Sequence, residues 1–140
     1  MNNDRTPGGT ALEVVQRFAV ALDQEDYAAA RGTLDEGCSY LIRGQVHHGP
    51  DRIVESYQGN GEAAQRFDEI RYGSAVRPGE EGWVIITFSD HIRHRGEALD
   101  HYCEQWLRVS EENRIIRIEH HDLPGQREQL DAFKARWGFL

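Results

Sequence analysis

Strict alternation of apolar and polar residues dominates the last third of the chain. It runs through residues 83–95 (WVIITFSDHIRHR), 98–109 (ALDHYCEQWLRV) and 114–122 (RIIRIEHHD). A period of two predicts strands, with successive side chains on opposite faces. Arg95-Gly96 between the first two segments predicts a two-residue hairpin turn, and 110–113 (SEEN) predicts a four-residue loop. Pairing outward from the first turn sets Ile92 opposite Leu99 and Asp90 opposite His101. Pairing outward from the second sets Leu107 opposite Ile116, Cys103 opposite His120 and His101 opposite Asp122. One face then collects Val84, Ile86, Phe88, Asp90, Ile92, His101, Cys103, Gln105, Leu107, Ile116, Ile118, His120 and Asp122. That face is apolar at one end and ionisable at the other, as the floor and mouth of a pocket would be. The opposite face is polar, with a few large aromatics.

Upstream, the period changes to that of helices. Residues 1–9 are polar and Gly-rich and predict a loose tail ahead of a single domain over 10–140. Thr10 and Glu13 have the spacing of a capping box, opening a helix with the stripe Leu12, Val15, Phe18, Ala19 and Leu22. Asp26 starts a second short helix through Leu34, ended by Gly37. Residues 38–43 and 46–48 predict a short hairpin. A helix over 51–67 follows, with a break expected at Gly59 and Gly61. Residues 68–77 read as another strand, and Pro78–Gly82 as a loop. The last helix is predicted over 124–137, with Pro124 in its first turn. Helices first and an antiparallel meander last predict an α+β fold whose sheet wraps the helices on one face.

Composition narrows the function classes. The chain has 140 residues, 39% hydrophobic and 29% charged, which suits one soluble globular domain. A formal charge of −8, with Arg interspersed among acids, leaves no basic face for nucleic acid. No apolar run reaches the length of a membrane-spanning helix, and residues 1–10 lack the apolar stretch of a signal peptide. The two cysteines, Cys38 and Cys103, lie on expected inward positions without metal-like spacing, which predicts reduced thiols in a cytoplasmic protein.

His101, flanked by Asp90 and Asp122, is the sharpest candidate for chemistry. A carboxylate beside imidazole fixes its tautomer and raises its basicity. In this reading His101 titrates above its ordinary value, and Asp122 either belongs to the pocket or caps the last helix. His120 is a second acid or base, or a buried histidine bonded to backbone. Cys103, Gln105, Phe88 and Ile118 share the pocket face. Tyr40 points inward if Cys38 and Ile42 do, and Tyr57 comes from a helix that would close the pocket. Val15, Phe18, Ile86 and Ile118 are expected at its apolar base. Paired histidines at 47–48 and 120–121 split across strand faces, so no metal site is expected. Trp83, Tyr102 and Trp106 fall together on the outer face.

The order of these elements resembles the nuclear transport factor 2-like superfamily, which includes ketosteroid isomerase, scytalone dehydratase, limonene epoxide hydrolase and the SnoaL-like polyketide cyclases. The resemblance spans roughly residues 10–122. It rests on the opening helix 10–27, on 49–57 (GPDRIVESY) with its Gly-x-x-x-Ile…Tyr pattern, and on 113–122 (NRIIRIEHHD). It implies a cone-shaped, cystatin-like α+β barrel: N-terminal helices on the concave face of a curved, mostly antiparallel sheet, plus a C-terminal helix. It also implies a homodimer through the outer sheet face. Matching to ketosteroid isomerase puts His101 where that enzyme has its protonated Asp and Ile42 where it has its catalytic base. An Ile abstracts no proton, so that mechanism does not carry over in its usual form. Asp122 falls where the SnoaL-like cyclases and scytalone dehydratase have an acid–base Asp. Two functions stay open. One is a cofactor-independent isomerase, dehydratase or cyclase using His101, Asp90, Asp122 and His120 on a small apolar substrate. The other is a non-catalytic ligand-binding or protein-interaction domain.

Overall fold

The computed structural model describes residues 7–140. Helix α1 (Pro7–Asp23) and helix α2 (Tyr27–Gly32) precede strand β1 (Leu34–Ile42) and strand β2 (Gln45–His48). Helix α3 (Pro50–Ala64) leads into strands β3 (Glu69–Pro78), β4 (Val84–His94), β5 (Glu97–Val109) and β6 (Ile115–Asp122), and helix α4 (Gln126–Arg136) ends the chain. The sheet is curved and open, with order β2-β1-β6-β5-β4-β3. The β3–β6 meander forms as expected, and β1 joins it by pairing parallel to β6.

Helix α1 begins at Pro7, so Thr10 lies within it rather than capping it. The expected 1–9 tail falls partly on residues 1–6, outside the described residues. Asp26 caps α2 as its sequence suggests, accepting from the Ala29 amide at 3.1 Å. That helix stops at Gly32, earlier than expected. Leu34 opens β1 instead, buried beside Ile115, and Gly37 lies inside the strand. Helix α3 runs unbroken through both glycines. Gly61 is there because α3 passes close to Tyr27: a Cβ at this position would sit 2.6 Å from the Tyr27 hydroxyl. Pro124 precedes α4 rather than opening it, and Gly125 is the N-cap.

The β4–β5 register agrees with the expectation, with Asp90 opposite His101. Arg95 and Gly96 both have positive φ (52° and 82°), as the two-residue turn requires. The β5–β6 register does not agree. Val109 pairs with Ile115, one residue beyond the expected loop, and a bulge at Ile116 adds a second offset. Cys103 is therefore opposite Asp122, Gln105 opposite His120 and Leu107 opposite Ile118, while His101 has no β6 partner. The bulge also turns Ile116 outward, where it is 37% exposed, and Ile115 inward, where it is fully buried. Two single-residue offsets restore the period of two, so His120 still faces the concave side.

The main core joins Val14, Val15, Phe18 and Ala19 of α1 to Tyr40, Ile86, Leu107, Ile115 and Ile118 of the sheet and to Ile53 of α3. A side chain the size of Phe18, buried completely, contributes about 2–3 kcal/mol through lost water contact. A second, smaller core holds α4 at the open end of the cone through Phe67, Ile92 and Phe133, with Leu130 and Trp137 against them.

Candidate active site

Between the sheet and α1, α3 and α4 lies a cavity of about 400 Å³. Across its sheet wall runs one rung of three residues: Tyr72 on β3 pairs with Asp90 on β4, which pairs with His101 on β5. All three line the cavity. The Tyr72 hydroxyl and His101 Nδ1 are buried without a hydrogen-bond partner. Burial raises Asp90 to about 6, assisted by the carboxylate of Asp23 and opposed by His91 and Lys134. Burial also pushes the Tyr72 phenol up to about 12. His101 moves the other way from the expectation. Desolvation of the imidazolium is the largest effect and holds it below its ordinary value, despite a bond with the Gln126 backbone and the charge of Asp122. The expectation assumed that two carboxylates flank the ring. Asp122, shifted opposite Cys103 by the β6 register, still acts on the ring through its charge, but burial prevails.

Below this rung lies a connected network. The Tyr57 hydroxyl donates to Gln105 Oε1 at 2.5 Å, and Gln105 Nε2 donates to the Tyr40 hydroxyl at 2.9 Å and to His120 Nδ1 at 3.2 Å. An amide N–H can only donate, so His120 Nδ1 is the acceptor and its proton is on Nε2. That Nε2–H points at Asp122 Oδ1, 2.9 Å away. Arg43 grips the same carboxylate with two bonds of 2.9 and 2.8 Å. Burial alone would raise Asp122, but hydrogen bonds from Arg43 and His120 outweigh it and bring it to about 2. Desolvation lowers His120, with Asp122 opposing. The Tyr40 and Tyr57 rings stack, 5.1 Å apart and 1° from parallel.

The structure thus gathers His101, Asp90, His120, Tyr40, Tyr57, Cys103, Gln105 and Phe88 around one cavity. Asp122 is not in its wall. It is bound to Arg43 and His120 at the strand end, neither orienting His101 nor capping α4. Ile118 is also not in the wall. With Val15, Phe18 and Ile86 it is fully buried in the solid core rather than at a cavity floor. Cys103 lines the cavity, but burial first and then Asp90 and Asp122 push its thiol to about 12, far from a reactive thiolate. Tyr72, Asp23, Arg43 and Lys134 were missed. Tyr72 carried a signal, since it alternates with Ile70 on one strand. Its pairing with Asp90 depends on the five residues between Pro78 and Val84, a loop too long to set register by its length. Asp23 accepts from the Ser74 hydroxyl at 2.6 Å, and burial raises its carboxyl. Among the described residues, no three His, Cys, Asp or Glu side chains are grouped as metal ligands, and no helix is long and apolar enough to cross a membrane. A hollow of about 460 Å³ lies on the outer face between Trp83, Trp106 and the exposed loop carrying Glu80 and Glu81, away from the rung.

No protein-family model matches the sequence, and neither does any curated protein. Solved structures do match. A candidate polyketide cyclase from Xanthomonas campestris pv. campestris superposes with a TM-score of 0.69 at 17% identity, over 91% of this chain and 98% of its own. An LEH-like epoxide hydrolase from M. tuberculosis gives 0.65 at 16% identity, over 91% and 89%. A nuclear transport factor 2-like protein of unknown function from Exiguobacterium sp. 255-15 gives 0.58 at 13%, over 85% and 99%. At these identities the likeness establishes the nuclear transport factor 2-like fold and leaves the reaction to the site itself.

Proposed function

We propose that the cavity is the active site of a cofactor-independent proton-transfer enzyme, an isomerase, dehydratase or cyclase, acting on a small and largely apolar carbonyl compound. One observation carries this reading: three groups able to move or share protons stand on a single rung, and two of them, the Tyr72 hydroxyl and His101 Nδ1, are buried with no hydrogen-bond partner among the described residues. Natural proteins leave few buried polar atoms unsatisfied, and those they leave call for a partner.

The chemistry follows from the shifted groups. Near neutral pH, Asp90 is mostly ionised, yet basic enough to hold a proton for part of a catalytic cycle. Its carboxylate takes a proton from a carbon next to the carbonyl. The C–H electron pair moves into the carbon framework, and the carbonyl oxygen gains the negative charge. The Tyr72 O–H is the donor placed beside Asp90 to meet that oxygen, while the neutral His101 ring, its N–H given to the Gln126 backbone, offers Nδ1 as an acceptor on the other side. The Asp90 proton then returns to another carbon of the substrate, or to a departing hydroxyl. His101 serves here as an acceptor for a substrate hydroxyl, and Asp122 acts at a distance by holding His120. The candidate cyclase and the epoxide hydrolase that share the fold support an enzymatic reading by analogy.

Deuterium exchange tests it. Incubated in D2O with an enolisable aryl ketone such as 2-tetralone, the protein should catalyse exchange at the α-carbon. The rate should rise with pH through about 6 as Asp90 ionises, and Tyr72→Phe should lower it roughly tenfold. The stacked tyrosines and the fully paired Gln105 also suit a rigid, non-catalytic binding site. Saturable ketone binding with no exchange above the buffer rate would decide for that alternative.

We also propose a homodimer through the outer sheet face, in a cytoplasmic protein whose two thiols stay reduced. Trp83 and Trp106 meet edge to face there, Arg108 lies 4.1 Å over the Trp83 ring, and Tyr102, four positions before Trp106 on β5, is 37% exposed. Trp106→Glu should shift sedimentation from dimer to monomer, because an unpaired charge in an interface core is costly. An unchanged dimer would place the interface elsewhere.

A further inference from the structure

The wall of the cavity opposite the core is α4, and it faces inward with an unusual set of side chains. Arg127, Leu130, Asp131 and Lys134 line the cavity. Their spacing puts them on one helical face. A helix closing an apolar space ordinarily turns its apolar stripe inward. Here the inward stripe carries three charges, and α4 is anchored mainly by Phe133.

Two of the cations lining the cavity have carboxylate partners. Arg127 lies 3.9 Å from Asp131. Arg43, across the cavity, is held by Asp122. Lys134 is different. It is half-buried, and among the described residues no carboxylate comes within ion-pair distance of it. The dipole of α4 favours a cation in its last turn, yet the other cation there, Arg136, turns away to Glu97 at 2.8 Å. Lys134 turns into the cavity instead, near enough for its charge to act on both Asp90 and His101. It does not neutralise Asp90, whose carboxyl still rises on burial.

We infer that the ligand of this cavity is an organic acid: Lys134 binds its carboxylate or similarly acidic oxygen at the α4 wall, and its apolar body extends toward the stacked Tyr40 and Tyr57. This rests on the reading of the cavity as a ligand site and narrows its substrate class. An acid bound at Lys134 supplies the missing counter-charge and leaves the neutral part of the molecule beside Asp90. A ligand with its negative charge at the rung itself would face Asp90 and be repelled.

Isothermal titration with 2-naphthoate and its neutral isostere 2-naphthamide, at pH 8, tests the inference. The acid should bind about tenfold more tightly than the amide, the usual scale of one charge-assisted hydrogen bond. Lys134→Met should erase the preference by weakening the acid alone, and Lys134→Arg should keep it. Equal affinities, a preference that survives Lys134→Met, or no detectable binding of either compound would each overturn it. Asp90→Asn should retain the preference. Loss of proton transfer at Asp90 would therefore leave this inference standing, and a cavity indifferent to acids would leave the proton-transfer reading standing.

Discussion

Asp90→Asn is expected to reduce α-carbon exchange at least about 100-fold, the usual scale of a lost general base, while making the folded protein more stable at pH 8. The two effects have one cause. A carboxyl raised from 3.8 to about 6 binds its proton more tightly when folded than when unfolded. Native stability contributed by this group is therefore greatest below 3.8, falls as pH rises toward 6, and stays reduced above that. Each tenfold gain in proton affinity corresponds to about 1.4 kcal/mol, so the ionised side chain costs on the order of 2–3 kcal/mol at pH 8. Asparagine has the same shape and no charge to desolvate. Urea unfolding of both proteins should show the variant ahead by roughly 2 kcal/mol at pH 8, with a gap that closes only as pH falls below 3.8. Groups distant from Asp90 that titrate between those values cancel in the comparison. An asparagine variant that is less stable at pH 8, or that exchanges the ketone as fast as the parent, would remove Asp90 from the centre of the site.

Gln105→Leu should be the most damaging single change in the polar network. Gln105 is 3% exposed and, among the described residues, is the only one that joins Tyr57, Tyr40 and His120. Leucine fills most of the volume but satisfies none of the three. Each polar atom left buried without a partner costs about 1–3 kcal/mol. Water entering from the cavity offsets part of this, so the expected loss is about 3 kcal/mol in chemical denaturation. A second readout is specific to the proposed proton arrangement. Nitrogen-15 NMR of the His120 ring should show the proton on Nε2 in the parent protein. In Gln105→Leu, Asp122 still holds the Nε2 proton, so the tautomer should persist while the Nδ1 resonance shifts as it loses its donor. A stable variant with an unchanged Nδ1 resonance would mean that Gln105 is not the organising residue. Gln105→Glu offers a control: its carboxylate accepts from Tyr57 but cannot donate to a neutral His120, so the imidazole should titrate higher.

How much of this could be read from the chain depends on the range of the interaction. Alternation along residues 83–109 and the turn at Arg95-Gly96 were enough to place Asp90 opposite His101. A two-residue turn with both φ angles positive admits one pairing, and nothing distant contributes to it. The inward face of β6 was legible for a similar reason, since the period of two survived its offsets. The partners on that face were not. The turn closed one residue later than its four polar residues suggested, and the bulge at Ile116 added another step. Neither feature has a strong local signature. Together they moved Asp122 from His101 to Cys103 and gave it to Arg43 and His120.

The sequence by itself determined the order of helices and strands, the β4–β5 hairpin and the apolar face of the sheet, because each follows from neighbours a few positions apart. Only the tertiary structure decided which ionisable residues are desolvated and which are paired. Tyr72 reaches the rung through a loop whose length sets no register. Burial holds His101 below its ordinary value and Asp90 above its own, with Asp23 of α1 adding to the second shift. Lys134 faces the cavity because α4 docks through Phe133 at one particular rotation. Desolvation depends on everything laid over a side chain, and no stretch of sequence around that side chain contains this information.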